Sequence, residues 1–123
     1  MKTDTAFVRL GEVCSIVNGG TPDTKNMEYW GKEIAWITPK DLGKMEGIYV
    51  DRTERMLTIL GLKNSSAKVL PMNSVILSTR APIGHLAINK CEIATNQGCK
   101  GLVPKRNLNE KYLYYFLFSS KQM

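Results

Sequence analysis

Two loops of the sequence carry side chains that can form hydrogen bonds to the edges of nucleic-acid bases. Arg80 follows an apolar run and precedes Ala81-Pro82-Ile83-Gly84, and Asn96-Gln97 separates two short β-prone runs. Arginine can donate two hydrogen bonds to guanine, and asparagine or glutamine can pair in a similar way with adenine. Alternatively, Asn96 and Gln97 could cap a turn through hydrogen bonds to the backbone. The residue types therefore predict base reading and leave a purely local role open.

Further polar or basic side chains in predicted loops could contact phosphates. The complete candidate set for nucleic-acid contact is Thr21, Lys25, Lys40, Lys44, Lys63, Arg80, His85, Asn96, Gln97 and Lys100. The chain has 17 Lys and Arg residues against 11 Asp and Glu residues, a net charge of +6. Residues 63–123 carry nine of the basic and two of the acidic residues, so the surplus lies in the C-terminal half. A localised surplus favours a polyanionic partner, although a solvated basic face has the same composition.

The residue types needed for catalysis are sparse. His85 is the only histidine and has no carboxylate close in sequence, so we expect it to pack or lie at the surface. Asp23 and Lys25 follow Pro22, which indicates ordinary turn chemistry. Metal-dependent nucleases need clustered carboxylates, and the sequence has no phosphate-binding glycine motif. We therefore predict a non-catalytic chain with no catalytic residue, no metal site and no cofactor of its own.

Cysteine usage predicts free thiols. Cys14, Cys91 and Cys99 are odd in number and include no Cys-x-x-Cys pair. Disulfide frameworks use a denser, even set, and a structural zinc site needs four ligands at short spacing.

The sequence also lacks an apolar run of about 20 residues, and its N-terminus lacks the order of a signal peptide. We expect a soluble, cytoplasmic protein without membrane contact.

Short apolar runs bounded by turn residues must position the candidate loops. The length of 123 residues fits one domain. Strand-like runs occupy residues 13–17, 34–38, 48–50, 75–79, 85–89, 93–95 and 101–104. Pro39 ends the second run because proline cannot donate to a sheet ladder. Trp30 and Trp36 are expected in the core and not stacked on bases.

Capping signals predict two helices. Asp51-Arg52-Thr53-Glu54 has the form of a capping box and predicts a short helix with Met56, Leu57, Ile59 and Leu60, ending at Gly61. Asn107 and Glu110 predict a second helix over about residues 108–120. This helix is apolar on every side, so something should cover its outer face. We expect Tyr112, Leu113, Phe116 and Leu117 to pack on the sheet and Tyr114, Tyr115 and Phe118 to contact a partner; a last core helix is the alternative.

Seven blocks in order carry a resemblance to a known family. They are Val8-Arg9-Leu10-Gly11-Glu12-Val13, Gly19-Gly20-Thr21-Pro22, Tyr29-Trp30-Gly31, Ile34-Ala35-Trp36-Ile37-Thr38-Pro39-Lys40-Asp41, Gly61-Leu62-Lys63-Asn64-Ser65-Ser66-Ala67-Lys68-Val69-Leu70-Pro71, Ser78-Thr79-Arg80-Ala81-Pro82-Ile83-Gly84 and Thr95-Asn96-Gln97-Gly98-Cys99-Lys100-Gly101. The sequence resembles a target recognition domain, the DNA-reading module of the specificity subunit of type I restriction-modification enzymes. The resemblance implies an α+β domain with a twisted, largely antiparallel or mixed sheet and short flanking helices. It implies a recognition domain over residues 1–107 and the start of a spacer helix over residues 108–123.

The resemblance also implies partners. The expected ligand is one half of a split double-stranded DNA target, and the expected protein partners are a modification subunit that methylates adenine and, through the complex, a restriction subunit. S-adenosylmethionine, ATP and Mg would belong to those partners. With one recognition domain, the chain resembles a fragment or a half-length subunit, which could also form a homodimer through its last helix. The alternative is an assembly module that docks a DNA methyltransferase through this helix and binds little DNA itself.

Overall fold

A computed structural model of the protein describes residues 11–120. In chain order its elements are β1 (Cys14–Asn18), a 3-10 helix (Met27–Tyr29), β2 (Trp30–Ile37), α1 (Pro39–Lys44), β3 (Tyr49–Val50), β4 (Arg55–Leu57), α2 (Ile59–Lys63), β5 (Val69–Leu70), β6 (Val75–Ser78), β7 (Leu86–Asn89), β8 (Ile93–Thr95), β9 (Cys99–Pro104) and α3 (Glu110–Ser120). The expected α+β class is confirmed. The block that begins at Val8 and the predicted segments 1–107 and 108–123 extend outside the described residues.

The strands form two sheets where a single sheet was expected. The first has the order β1-β9-β6-β7-β3, and all its neighbours are antiparallel except β3 and β7. The second has the order β4-β2-β8-β5, in which β2 and β8 are parallel. Ile37 lies opposite Thr95 in this parallel pair, so the two strands end at the same edge of the sheet.

The core lies between the two sheets. Ile37 and Ile93 of the second sheet and Ile76 of the first sheet are fully buried in one cluster. Burying each such side chain contributes about 1.5–3 kcal/mol to folding. A Cβ at Gly101 would lie 2.3 Å from the side chain of Leu70, so the sheets approach this closely only because β9 has glycine there.

The predicted capping-box helix is wrong. Arg55–Leu57 forms β4, which pairs with β2 and buries Leu57 completely. The short helix α2 starts later, capped by the Thr58 hydroxyl, and Gly61 lies inside it. The helix α1 was not predicted, although Thr38 and Asp41 form a full capping box with Pro39 in the first turn. Strand pairing overrides the local capping signal at residues 51–54.

The predicted last helix exists, with a different buried face. It begins at Glu110, and the Asn109 carboxamide oxygen accepts hydrogen bonds from the backbone N–H groups of Lys111 and Tyr112, so Asn109 replaces Asn107 as the cap. The buried side chains are Leu113 and Tyr114, with Leu117 packed beside them. The expected outward position of Tyr114 is therefore wrong, as is the expected packing of Tyr112 and Phe116, which are exposed, like Tyr115 and Phe118. No helix among residues 11–120 is long and apolar enough to cross a membrane.

Candidate functional site

Loops that follow β1, β2, β6 and β8 meet at one edge of the fold. The parallel pairing of β2 and β8 brings the residues after Ile37 next to those after Thr95. The Asn96 backbone N–H donates to the Ile37 carbonyl oxygen at 3.0 Å. The backbone N–H groups of Thr79 and Arg80 donate to the Gly98 carbonyl oxygen at 2.8 and 3.2 Å. The loop after β6 is therefore tied directly to the loop after β8.

The two candidate side chains of the Asn96-Gln97-Gly98 loop form different hydrogen bonds. The Asn96 carboxamide oxygen accepts the Gly98 backbone N–H at 2.9 Å, so this side chain caps the turn. Gln97 is exposed, and its carboxamide oxygen accepts the Thr21 hydroxyl. Two candidates 76 positions apart in sequence therefore touch. The turn-capping alternative is correct for Asn96, whereas Gln97 lies at the surface.

The Gly19–Pro22 loop is held close to its neighbours by backbone contacts. The Gly20 N–H donates to the Thr95 carbonyl oxygen at 2.9 Å. A Cβ at Gly19 would lie 2.0 Å from the Asn96 carbonyl oxygen, so only glycine permits this approach. The Trp36 indole N–H donates to the Gly20 carbonyl oxygen at 3.0 Å. Trp36 was expected in the core, and the sequence carried no signal for its contact with this loop.

The loop between β6 and β7 packs on α1. The Ser78 hydroxyl donates to the Pro82 carbonyl oxygen at 2.7 Å and accepts the His85 backbone N–H at 2.9 Å. A Cβ at Gly43 would lie 2.7 Å from Pro82 Cγ and 3.9 Å from His85 Nε2. These contacts place the half-buried His85 and the exposed Arg80 beside α1, which carries the exposed Lys40 and Lys44.

We call the surface formed by these loops the loop face. It consists of Thr21, Lys40, Lys44, Arg80, His85, Gln97 and Lys100. Within residues 11–120, Lys40, Lys44 and Arg80 form no ion pair, and the Asp41 carboxylate accepts from Thr38. Lys100 Nζ donates to the neutral Asn18 carboxamide oxygen at 2.7 Å. The basic charge of this surface is therefore not neutralised by neighbouring carboxylates.

Two candidates form no hydrogen bond or ion pair with a loop-face residue in the part of the chain that the structure describes. Lys25 belongs to a turn in which the Asp23 carboxylate accepts the Lys25 backbone N–H at 2.9 Å, as ordinary turn chemistry predicts. Lys63 ends α2, which packs against the 3-10 helix. No hydrogen bond or ion pair among residues 11–120 joins Lys63 to the loop face.

Residues 11–120 contain no group of three or more His, Cys, Asp or Glu side chains placed to hold a metal ion. Burial, followed by the nearby Asp41 charge, raises the pKa of the Cys99 thiol to about 12. This thiol is therefore protonated at neutral pH and is a poor nucleophile.

The sequence profile of the family described as "Type I restriction modification DNA specificity domain" matches residues 2–123. The chain belongs to this family. It is 44% identical over 115 residues to the type I restriction enzyme MjaIX specificity subunit of Methanocaldococcus jannaschii, covering 94% of the chain and 26% of that protein. It is 34% identical over 115 residues to the EcoR124I/EcoR124II specificity subunit of Escherichia coli, covering 89% of the chain and 28% of that protein.

Solved structures related to this DNA specificity domain family share its fold. A chain from a structure described as "Structural basis underlying complex assembly and conformational transition of the type I R-M system" aligns with a TM-score of 0.66 and 25% identity over 89% of this chain and 26% of that one. The HsdS subunit from Thermoanaerobacter tengcongensis aligns with a TM-score of 0.65 and 21% identity, over the same shares of the two chains. This chain spans about a quarter of the length of these relatives.

Proposed function

We propose that this chain is a non-catalytic module that recognises part of a double-stranded DNA target, as the specificity component of a type I restriction-modification complex. The observation that carries the proposal is the loop face, which combines the unpaired cations Lys40, Lys44 and Arg80 with the pair formed by the half-buried Thr21 and the exposed Gln97. Membership of the DNA specificity domain family supports the same ligand.

Phosphate and base contacts would fall to different residues of the loop face. Lysine contributes a point charge that suits phosphates, whereas arginine and glutamine present paired groups that suit base edges. Lys40, Lys44 and Lys100 would therefore position the domain on the duplex, and Arg80 and Gln97 would read bases. Both reading residues sit on loops that are fixed by backbone hydrogen bonds to Gly98 and Asn96.

The proposed partners would supply the catalytic chemistry. A modification subunit with S-adenosylmethionine would methylate adenine, and a restriction subunit would use ATP and Mg within the same cytoplasmic complex. The exposed aromatic residues of α3 are the proposed protein-contact surface: Tyr112, Tyr115, Phe116 and Phe118. A continuing spacer helix, the modification subunit or a second copy of this chain could cover them.

Salt dependence of DNA binding tests the proposed ligand. If about four basic side chains meet phosphates, log K should fall against log salt with a slope of roughly −3 to −4. The double variant Lys40→Gln/Lys44→Gln should reduce the magnitude of the slope by about 2, because each lost phosphate contact removes about 0.9. Lys63→Gln is the control, because Lys63 is an exposed lysine with no hydrogen bond or ion pair to the loop face among residues 11–120.

Three outcomes of this titration can be separated. An unchanged slope for Lys63→Gln together with a reduced slope for the double variant supports the loop face. Equal effects per charge removed, with the double variant changing the slope about twice as much as Lys63→Gln, would indicate diffuse electrostatic attraction and contradict the assignment of this surface. Absence of salt-dependent binding to any duplex, with binding to a methyltransferase subunit, would favour the assembly-module alternative, which the exposed aromatic residues of α3 support.

A further inference from the structure

Arg55 stacks against a pair of tryptophans outside the loop face. Its guanidinium carbon lies 3.7 Å from the centre of the Trp30 ring and 5.7 Å from that of Trp36. The two indole rings meet edge to face, with centres 4.9 Å apart and an angle of 81°. A guanidinium over a tryptophan face is attracted to the ring and loses rotational freedom.

The backbone of Arg55 is fixed as well. Arg55 lies opposite Trp36 in the β2–β4 pair. The Thr53 hydroxyl donates to the Arg55 carbonyl oxygen at 2.7 Å and accepts the Trp36 backbone N–H at 3.1 Å. Strand pairing and the indole contact therefore hold the guanidinium in one place before any ligand arrives.

The guanidinium nevertheless has no anionic partner of its own. Arg55 is exposed, and among residues 11–120 its side chain forms no ion pair and donates no hydrogen bond. Contact with a ring face leaves all five N–H donors without an oxygen acceptor. A stacked and unpaired guanidinium is pre-organised to donate two parallel hydrogen bonds to two oxygens of one oxyanion, such as a phosphate of the DNA backbone.

The two tryptophans connect Arg55 to the loop face. The Trp36 indole N–H donates to the Gly20 carbonyl oxygen at 3.0 Å, and the Trp30 indole N–H donates to the Asp23 carbonyl oxygen at 3.1 Å. The same pair of rings therefore supports Arg55 on one side and the Gly20–Asp23 segment, with Thr21, on the other. The phosphate backbone of a DNA strand that contacts Thr21 would therefore pass near the two tryptophans and Arg55.

We propose that Arg55, held by Trp30 and Trp36, is a phosphate-binding site for the DNA backbone that extends the interface beyond the loop face. The proposal rests on the DNA-binding function proposed above. A purely structural Arg55 would only shield the Trp30 ring. The two roles predict different effects on DNA binding and on thermal stability.

The test compares Arg55→Met with Arg52→Met. Methionine keeps an unbranched apolar side chain against Trp30 and removes the charge and all donors. Arg52 is the matched control because it is an exposed arginine three positions away with no contact among residues 11–120. For each protein, the affinity for a 30-base-pair duplex of random sequence is measured across a range of salt concentrations, together with the Tm.

Arg55→Met should reduce the magnitude of the salt slope by about 0.9, with an affinity loss of several fold at low salt and a nearly unchanged Tm. Arg55→Lys should recover most of the slope, because it restores the charge. The slope is independent of the fraction of active protein, so it stays informative if a variant is partly unfolded. A wild-type slope for Arg55→Met, or an equal change for Arg52→Met, overturns the Arg55 site while leaving the DNA-binding function intact. Failure of the unmodified chain to bind duplex DNA rejects the proposed function itself.

Discussion

Arg80 illustrates how an exposed cation can be positioned by its backbone alone. Its N–H donates to the Gly98 carbonyl oxygen at 3.2 Å, and a Cβ at Gly98 would lie 3.3 Å from Arg80 Cβ. The guanidinium, by contrast, has no partner among residues 11–120. The fold therefore needs the main chain at this position and gains little from the end of the side chain.

Arg80→Ala should impair DNA recognition far more than folding. Exposed substitutions away from caps and cores usually change stability by less than about 0.5 kcal/mol, so the Tm should be nearly unchanged. Duplex binding, and target methylation after reconstitution with a modification subunit, should be lost. Arg106→Ala is the control, because Arg106 is an exposed arginine near α3. Unfolding of Arg80→Ala with normal methylation by the remaining folded fraction would show that Arg80 is structural.

Side-chain type alone selected part of the proposed DNA interface. Arg80, Gln97 and Thr21 were predicted from their chemistry and from the turns around them, and the structure places them in loops that contact each other. Asn96 has the same chemistry, but it is half-buried and its carboxamide oxygen caps the Gly98 backbone N–H, whereas Gln97 is exposed and its oxygen is held only by the Thr21 side chain. Arg55 was not predicted, because its position depends on a strand that the capping signal at residues 51–54 concealed.

Two capping signals show why elements were harder to predict than residues. Thr38-Pro39-Lys40-Asp41 forms a real capping box, and Asp51-Arg52-Thr53-Glu54 has the same local form without a helix behind it. The two segments differ because Arg55–Leu57, directly after the second signal, pairs with β2 and thereby buries Leu57. Long-range pairing of this kind leaves no mark in the local sequence, whereas β6 and β7 were both predicted from local apolar runs over residues 75–79 and 85–89.

The approximate residue range of the last helix was predicted correctly, but the face that it buries was not. Its apolar residues surround the axis, so the pattern does not select the side that faces the sheets. The structure buries Leu113 and Tyr114 and leaves Tyr115 53% exposed. Tyr114 meets Tyr115 edge to face with ring centres 5.2 Å apart. The two adjacent tyrosines therefore have opposite roles.

Substituting these two tyrosines should separate folding from association. Tyr114→Ser should destabilise the protein by about 3–5 kcal/mol, the range for loss of a buried aromatic side chain. Tyr115→Ser should cost at most about 1 kcal/mol, the value of an aromatic pair, and should weaken self-association or binding of a modification subunit. Urea denaturation and analytical ultracentrifugation measure the two effects. A strictly monomeric wild type whose modification-subunit affinity is insensitive to Tyr115→Ser would contradict a docking role for this face.

At the scale of the whole molecule, the loop face exists only because two sheets pack together. The first sheet supplies the loops after β1 and β6, and the second supplies those after β2 and β8. Most strands were predictable from apolar runs, but their order was not, since β2 pairs with β8 across more than fifty residues of intervening chain. The convergence of Thr21, Arg80 and Gln97 therefore had to come from the structure.

Cys99 connects this packing to the response of the protein to alkaline pH. It is fully buried at the start of β9, next to the loop face, and its pKa is raised to about 12 from 9.0 by burial and then by the Asp41 charge. The unfolded thiol ionises near pH 9, whereas the folded thiol does not. Its contribution to stability is therefore complete below about pH 9 and is lost as the pH rises from there toward about 12.

We expect the free energy of unfolding to decline above pH 9, with Cys99 contributing up to about 1.4 kcal/mol per pH unit. Urea denaturation at pH 8, 9 and 10 measures this slope.

Cys99→Ala should be less stable at pH 8 because it leaves a small cavity, but its stability should decline less steeply between pH 9 and 10. Tyrosine and lysine titrations occur equally in both proteins, so the difference between the slopes isolates the thiol. Cys91→Ala is the comparison variant and should flatten the decline less, because burial and then the Asp51 and Glu92 charges raise the pKa of this half-buried thiol by less than at Cys99. Equal slopes for the wild type and Cys99→Ala would show that the buried thiol ionises without cost, and that solvent reaches the space between the two sheets beneath the loop face.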